Sequence, residues 1–296
     1  MSNQPVAGVI LAHADPAQVA RIIQVLSPIP LFLHCDRRTP DHVFRAMLEG
    51  SPERVRVVPR RRTSLSSWSL VAAELDGLRA ALAATKADHI IVMSGSCYPI
   101  IATGELIARL EARRGQTLFT AGPLPIAGWE TWRNHDGGHW RFNRRFLTID
   151  DQVVRVGDIP LRTVRQRVPS SLVLHGGSQW KIYSRAHAER LLGALDSDPT
   201  LLAFFRHTFI PDESCAATIL KSPVIAGVLT ETVVSPAPWY MEWPSPGSHH
   251  PSSLTAGAFE NIRDARDTAG SMFVRKVPSS SSDLLARIDE ELRGVH

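Results

Sequence analysis

Several segments carry residue types that could do chemistry, and most of the familiar chemistries can be tested against their spacing. His135 and His139 are four residues apart, as in a metal-ligand pair, but Gly137-Gly138 between them would break the helix such a pair requires. His-Asp-Gly-Gly-His therefore reads as a loop that could face an acceptor. Ser94-Gly95-Ser96-Cys97 offers hydroxyls and a thiol in a turn, yet it is not the G-x-S-x-G elbow of a serine hydrolase. The turn after the first apolar run, Ala12-His13-Ala14-Asp15-Pro16, has neither a dinucleotide glycine fingerprint nor a P-loop, which disfavours hydride transfer and P-loop chemistry. The three cysteines, Cys35, Cys97 and Cys215, are odd in number and lack ligand spacing, which suits a reducing compartment and argues against a disulfide framework or a zinc site.

Basic residues cluster at Arg37-Arg38, Arg60-Arg61-Arg62, Arg144-Arg145 and Arg275-Lys276, in a chain of formal net charge +4. Such clusters could meet phosphates or anionic lipid headgroups, and so a peripheral contact with membrane. No helix-turn-helix, zinc-finger or interleaved aromatic pattern supports a nucleic-acid partner. Taken locally, Asp212-Glu213 is a good acidic first turn for a helix, and Arg275-Lys276 is a basic dipeptide before a serine-rich linker.

The elements that must position these residues alternate through the first half. Val6–Ala12 is an apolar run fit for a buried parallel strand, and Asp15-Pro16 opens an amphipathic helix to Leu26 with Asp15 as cap. Strands over Pro30–His34, Val55–Val58, Ile90–Met93 and Thr117–Ala121 alternate with helices from Thr39-Pro40 to Leu48, Ser69 to Ala84, and Thr103 to Arg113. This rhythm predicts a mostly parallel sheet with helices on both faces, and ligands of such sheets bind beyond the carboxyl ends of the strands. Ala12-His13, His34-Cys35-Asp36 and Ser94-Gly95-Ser96 fall at those ends. The second half reads as irregular: long loops with short strands over 122–167, a further loop over 236–253, a helix from Ser184 to Leu195, one from Asp212-Glu213 to Leu220, and a closing helix over Asp283–Leu292 capped by Ser282 or Asp283. No stretch approaches the ~20 apolar residues of a membrane helix. The first residues lack the layout of a secretion signal, so the cytoplasm is the expected location.

Seven segments, VILAHADPAQVARII, FLHCDRR, SSWSLVAAEL, IIVMSGSCYPI, GGSQWKIYSR, IPDESCAATIL and SMFVRK, occur in the order seen in the core-2/I-branching enzymes. The chain resembles that family, glycosyltransferase family 14, which includes β-1,6-N-acetylglucosaminyltransferases and peptide O-xylosyltransferases. The resemblance runs from about Val9 to Lys276. It implies an α/β, GT-A-like fold in a single domain. Residues 1–121 would form a nucleotide-binding half, 122–278 an irregular acceptor and catalytic half, and 279–296 a linker and C-terminal helix.

The resemblance also implies a UDP-sugar donor, inversion at the anomeric carbon and no metal cofactor, with basic side chains doing a cation's work at the leaving diphosphate. Glu213 matches the family's catalytic base, and Arg275 and Lys276 match its diphosphate-binding position. Asp36 matches the position associated with uracil or ribose, while Ala12 and His13 would border the base. Ser94 and Gly95 complete the donor side. Trp68 and Trp180 match positions lining donor and acceptor sites. Ser178 and Gln179 could hydrogen-bond sugar hydroxyls, and Asp212 would adjoin substrate or cap the helix.

Two positions depart from the family pattern. Cys97 stands where an acidic residue is usual, and Trp239 where many relatives have an arginine. The expected reaction is transfer of N-acetylglucosamine to a hydroxyl on a glycan, lipid-linked sugar, small molecule or peptide. The alternatives are UDP-xylose or another UDP-hexose as donor, or binding without turnover.

Overall fold

A computed structural model describes residues 4–130, 134–245, 248 and 250–294. Parts of both long loops, and residues 1–3, thus lie outside the described residues. The first half is β1 (Val6–Ala12), α1 (Pro16–Val25), β2 (Leu31–Cys35), α2 (Asp41–Leu48), β3 (Val55–Val57), α3 (Trp68–Ala84), β4 (His89–Ser94), β5 (Cys97–Pro99), α4 (Thr103–Glu111) and β6 (Thr117–Pro123). Every residue of β1, β2 and β4 is buried, which is why these strands read as unbroken apolar runs. Asp15 caps α1 as expected, accepting from the Gln18 N–H at 3.2 Å, with Pro16 in the first turn.

Six short strands follow: β7 (Arg144–Phe146), β8 (Thr148–Ile149), β9 (Gln152–Val153), β10 (Arg155–Val156), β11 (Ile159–Pro160) and β12 (Arg162–Arg165). Then come β13 (His175–Ser184), α5 (Arg185–Ser197), α6 (Pro199–Arg206), α7 (Cys215–Lys221), α8 (Pro223–Ala226), β14 (Val233–Val234), β15 (Trp239–Met241), α9 (Phe259–Asp267), β16 (Phe273–Arg275) and α10 (Ser282–Arg287).

The central sheet has seven strands in the order β14-β6-β13-β4-β1-β2-β3. Strands β1 to β4 pair in parallel, and β13 runs antiparallel to both β4 and β6. The fold is therefore α/β with a mostly parallel sheet flanked by helices, as the resemblance implies. Strand β13 is the element that the strand-helix rhythm does not reveal. It wedges between β4 and β6, and at Gly177 it comes so near β6 that an added Cβ would lie 1.6 Å from the Thr120 carbonyl oxygen.

A second, three-stranded sheet, β15-β16-β5, carries Arg275 across from Cys97. The C-terminal segment docks on this sheet rather than trailing from it. Leu284, Leu285, Ile288 and Leu292 enter the main core, and Asp289 accepts from Arg21 at 2.6 Å and from the Tyr98 hydroxyl at 2.9 Å. The closing helix is α only over Ser282–Arg287 and continues as a π-turn over Ile288–Leu292. The residue ahead of it is Ser281, and no side chain caps it, contrary to the expectation for Ser282 or Asp283. Trp140, Phe146, Val153 and Phe209 form a separate small core beneath the irregular strands. Among the described residues no helix is long and apolar enough to cross a membrane.

Candidate active site

At the strand ends the fold gathers the residues that the sequence places there. Ala12 pairs with Cys35, and its carbonyl accepts from the Asp36 N–H at 2.9 Å. The His13 carbonyl accepts from Thr39 Oγ1 at 2.8 Å, which leaves the exposed His13 ring at the rim. An added Cβ on Gly95 would lie 3.3 Å from that of Ala12 and 3.0 Å from Val19 Cγ2, so the β4 turn closes tightly on the end of β1.

Asp36 is buried, and both its carboxylate oxygens are engaged. It accepts from the Arg38 N–H at 2.7 Å, from Arg38 Nη2 at 3.0 Å, from the Thr63 N–H at 3.0 Å and from Thr63 Oγ1. Burial by itself would raise its pKa, but the bonds from Arg38 and Thr63 outweigh it and hold the group well below the usual carboxylate range. Asp36 thus organises the two loops that flank the strand ends. Trp68, in the first turn of α3, is 3% exposed within the main core.

Facing this floor is the basic pair. Arg275 Nη1 donates to Ser94 Oγ and, at 2.6 Å, to Ser96 Oγ, while its guanidinium lies 4.4 Å from the centre of the Trp180 ring. Neither Arg275 nor Lys276 pairs with a carboxylate among the described residues. Burial lowers the pKa of each, and Arg275 lowers that of Lys276 further, so both charges are held uncompensated in partly dry surroundings. That is the condition under which an anion is bound rather than ignored. Cys97, fully buried beside Arg275, is part of the reason: a carboxylate there would neutralise the arginine internally. Trp239 stacks on Phe273 at 4.7 Å and serves as core of the small sheet.

Ser178, Gln179 and Trp180 sit where the register of β13 against β6 shifts, between Gly177 and Lys181. A bulge re-aims side chains out of the ladder. It turns Trp180 under Arg275, while Ser178 Oγ accepts from the Trp180 N–H at 3.1 Å.

Glu213 is placed differently from the expectation of a helix start. Pro211–Glu213 is a separate 3₁₀ turn, and α7 begins only at Cys215, with Ser214 at its cap position. Backbone N–H groups of a first turn therefore do not hold the carboxylate. Arg141 does so, donating from Nη1 at 2.9 Å; the Arg141 side chain is 9% exposed and that of Glu213 37%. The guanidinium in turn packs 3.5 Å from the centre of the Trp129 ring. That ring fits only because Gly138 and Gly176 lack side chains: an added Cβ would fall 2.6 Å and 2.1 Å from it. Gly137 and Gly138 have φ of 58° and 99°, so the His135–His139 segment is a loop, as its glycines predict.

Sequence reasoning missed Arg141 and Trp129. Arg141 lies 72 residues from its partner with no spacing rule to link them. Strand β13 joins the two halves of the site, with Gly176 against Trp129 and Trp180 against Arg275. The two contacts are roughly 13 Å apart along a strand.

Asp212 does not cap a helix either. Its side chain is buried, with Oδ1 lacking a hydrogen-bond partner among the described residues. Burial, reinforced by the neighbouring Glu213 charge, pushes its pKa up to about 7. The folded state therefore keeps a proton that an unfolded aspartate releases near pH ~4. Stability should fall as pH rises from about 4 to 7, by up to ~1.4 kcal/mol per pH unit, and level off above. Asp212→Asn should remove that decline, raising the unfolding temperature near pH ~8 but not near pH ~4. Thermal unfolding at the two pH values checks it, and an equal effect at both would refute the buried, protonated carboxyl.

Among the described residues no group of three or more His, Cys, Asp or Glu side chains is arranged to hold a metal ion. The family model for the Core-2/I-Branching enzyme matches residues 30–263. Curated relatives include human "Xylosyltransferase 1", 27% identical over 203 residues covering 64% of this chain and 19% of that protein. "Xylosyltransferase oxt" of Drosophila pseudoobscura pseudoobscura is 27% identical over 224 residues, 69% of this chain and 23% of that protein. Human "Xylosyltransferase 2" is 24% identical over 222 residues, 70% and 23%. The match thus spans less than a quarter of each of these relatives. With the family model covering most of its length, the chain belongs to the core-2/I-branching enzyme family, a family of glycosyltransferases.

Proposed function

We propose that the protein transfers a sugar from a UDP-sugar to a hydroxyl acceptor with inversion and without a metal. The observation that carries this reading is the cation Arg275, free of any carboxylate among the described residues and set against Ser94, Ser96 and Trp180 at the carboxyl ends of the sheet, with the charge of Lys276 beside it. A departing UDP gains negative charge on its β-phosphate, and fixed cations stabilise that charge without reorganising. Arg275 offers a rigid fork of donors and Lys276 a mobile point charge. Glu213 takes the proton of the acceptor hydroxyl as its oxygen attacks the anomeric carbon. The bond from that carbon to the diphosphate breaks on the opposite face, and its electron pair leaves with UDP.

The names of the relatives put UDP-xylose first in a donor panel, ahead of the UDP-N-acetylglucosamine expected from the sequence. Lys276→Ala should weaken UDP binding by about tenfold, the loss of one charge-assisted contact of ~1.5 kcal/mol. Acceptor binding should change little. Isothermal titration of both ligands checks this, and equal losses would remove Lys276 from the diphosphate site. The same preparation should keep its activity in EDTA; a strict requirement for added manganese would overturn the metal-free reading.

A further inference from the structure

The excursion from Arg144 to Arg167 has an inner and an outer side of opposite character. Its inner side packs Phe146 and Val153 against Trp140 and Phe209. The Phe146 N–H donates to the His207 carbonyl at 2.9 Å, and the Val153 N–H donates to Ser67 Oγ at 2.8 Å. On its outer side, Leu147, Ile149, Val156, Ile159 and Val164 are 40%, 63%, 66%, 54% and 65% exposed. The same stretch carries six exposed arginines against three aspartates, a net +3 within a chain whose total is +4; of these, Arg155 also lies over the Phe209 ring at 5.4 Å. Among the described residues none of Arg144, Arg145, Arg155, Arg162, Arg165 and Arg167 pairs with a carboxylate. Surface arginines elsewhere do, as Arg61 with Asp76, Arg79 with Asp196 and Arg114 with Asp88. All four residues of β12 are exposed, while its partner strand β7 is anchored to the small core by Phe146.

We propose that this face docks on an anionic lipid surface. Unpaired arginines complement the headgroup charge, and branched aliphatic side chains between them gain by leaving water for the acyl boundary. An acidic polymer would use the arginines but leave the aliphatics in water, and a sugar chain would favour flat aromatic faces, which this outer side lacks. Docking goes beyond the transferase reading and does not depend on it. If both hold, Arg141, at the root of the excursion, keeps Glu213 near the headgroup layer, and the acceptor is a membrane-held sugar.

Co-sedimentation of the full chain with vesicles of phosphatidylcholine alone, or mixed with phosphatidylglycerol, tests the proposal. The protein should partition to the mixed vesicles only. The triple variant R144A/R162A/R165A should lose about 100-fold in partition, taking about fivefold for each arginine at the surface. The variant I159S/V164S should bind at low salt but be released by salt that the wild type withstands. These side chains are exposed, so unfolding temperatures should stay unchanged; should the triple variant unfold, R145A/R167A carries the same test at about 25-fold. Glu213→Gln should sediment like the wild type, which separates failure of docking from failure of the transferase reading. No binding to mixed vesicles, or full binding by the arginine variants, would overturn the proposal. So would arginine-dependent binding of dextran sulfate with no binding to vesicles, which would assign the face to an acidic polymer.

Discussion

Glu213→Gln should lower the transfer rate by about 10²- to 10⁴-fold, the usual worth of a positioned general base, while UDP binding stays near that of the wild type. The substitution keeps the size of the side chain and an oxygen that can still accept from Arg141 Nη1, now 2.9 Å from the carboxylate. It removes only the ability to take a proton. UDP affinity should survive because, on the proposed assignment, the diphosphate is held by Arg275 and Lys276 from β16 and the loop after it. Glu213 belongs to a separate turn, with β13 running between its Arg141–Trp129 support and Arg275. Initial rates with a donor that turns over, beside titration of UDP, separate the two effects. Near-normal turnover would refute the base assignment. Loss of UDP binding in parallel would show that the turn also shapes the donor site.

Glu74→Ala should cost about 3–5 kcal/mol of stability, since it leaves a buried ammonium without its counter-charge. Glu74 on α3 accepts from Lys181 Nζ at 3.2 Å on both oxygens and from the Tyr183 hydroxyl at 2.6 Å. The Lys181 and Glu74 side chains are 1% and 3% exposed, so water cannot replace the lost partner. At roughly 2–4 °C per kcal/mol for a domain somewhat smaller than this one, the unfolding temperature should fall by about ten degrees. Replacing both partners at once, as Glu74→Leu with Lys181→Met, should cost far less, because no unpaired charge remains. Calorimetry of the single and double variants decides it. A double variant as unstable as the single would show that packing, and not the stranded charge, sets the penalty. The triad ties α3 to β13, whose bulge presents Trp180 to Arg275.

The triad also shows why some sequence segments carry more than their local pattern suggests. SSWSLVAAEL reads as an amphipathic helix, yet it supplies Glu74. GGSQWKIYSR is assigned no strand or helix before Ser184 by the local pattern, yet it supplies Lys181, Tyr183 and the longest strand among the described residues. Its two glycines, Ser178 and Gln179 mask the alternation of a half-buried strand. Only the bulge between Gly177 and Lys181, and the close approach at Thr120, give those residues a structural purpose.

The sequence by itself determined the βα rhythm, the Asp15 cap and the gathering of Ala12, Asp36, Ser94 and Gly95 at one edge of a mostly parallel sheet. Those features follow from runs of buried apolar residues and from turn chemistry, which act over a few neighbours. It also marked Arg275-Lys276 and Asp212-Glu213, through the order of the segments that contain them. Tertiary structure decided what each charged group faces. Arg141 holds Glu213 in a 3₁₀ turn that local pattern reads as a helix start. Arg275 finds hydroxyls and an indole face where a carboxylate would have quenched it. Asp36, a free strand-end acid in the sequence, is saturated by Arg38 and Thr63. Apart from the neighbouring Arg38, the partners in these pairings meet across tens to hundreds of residues, and no local spacing encodes that.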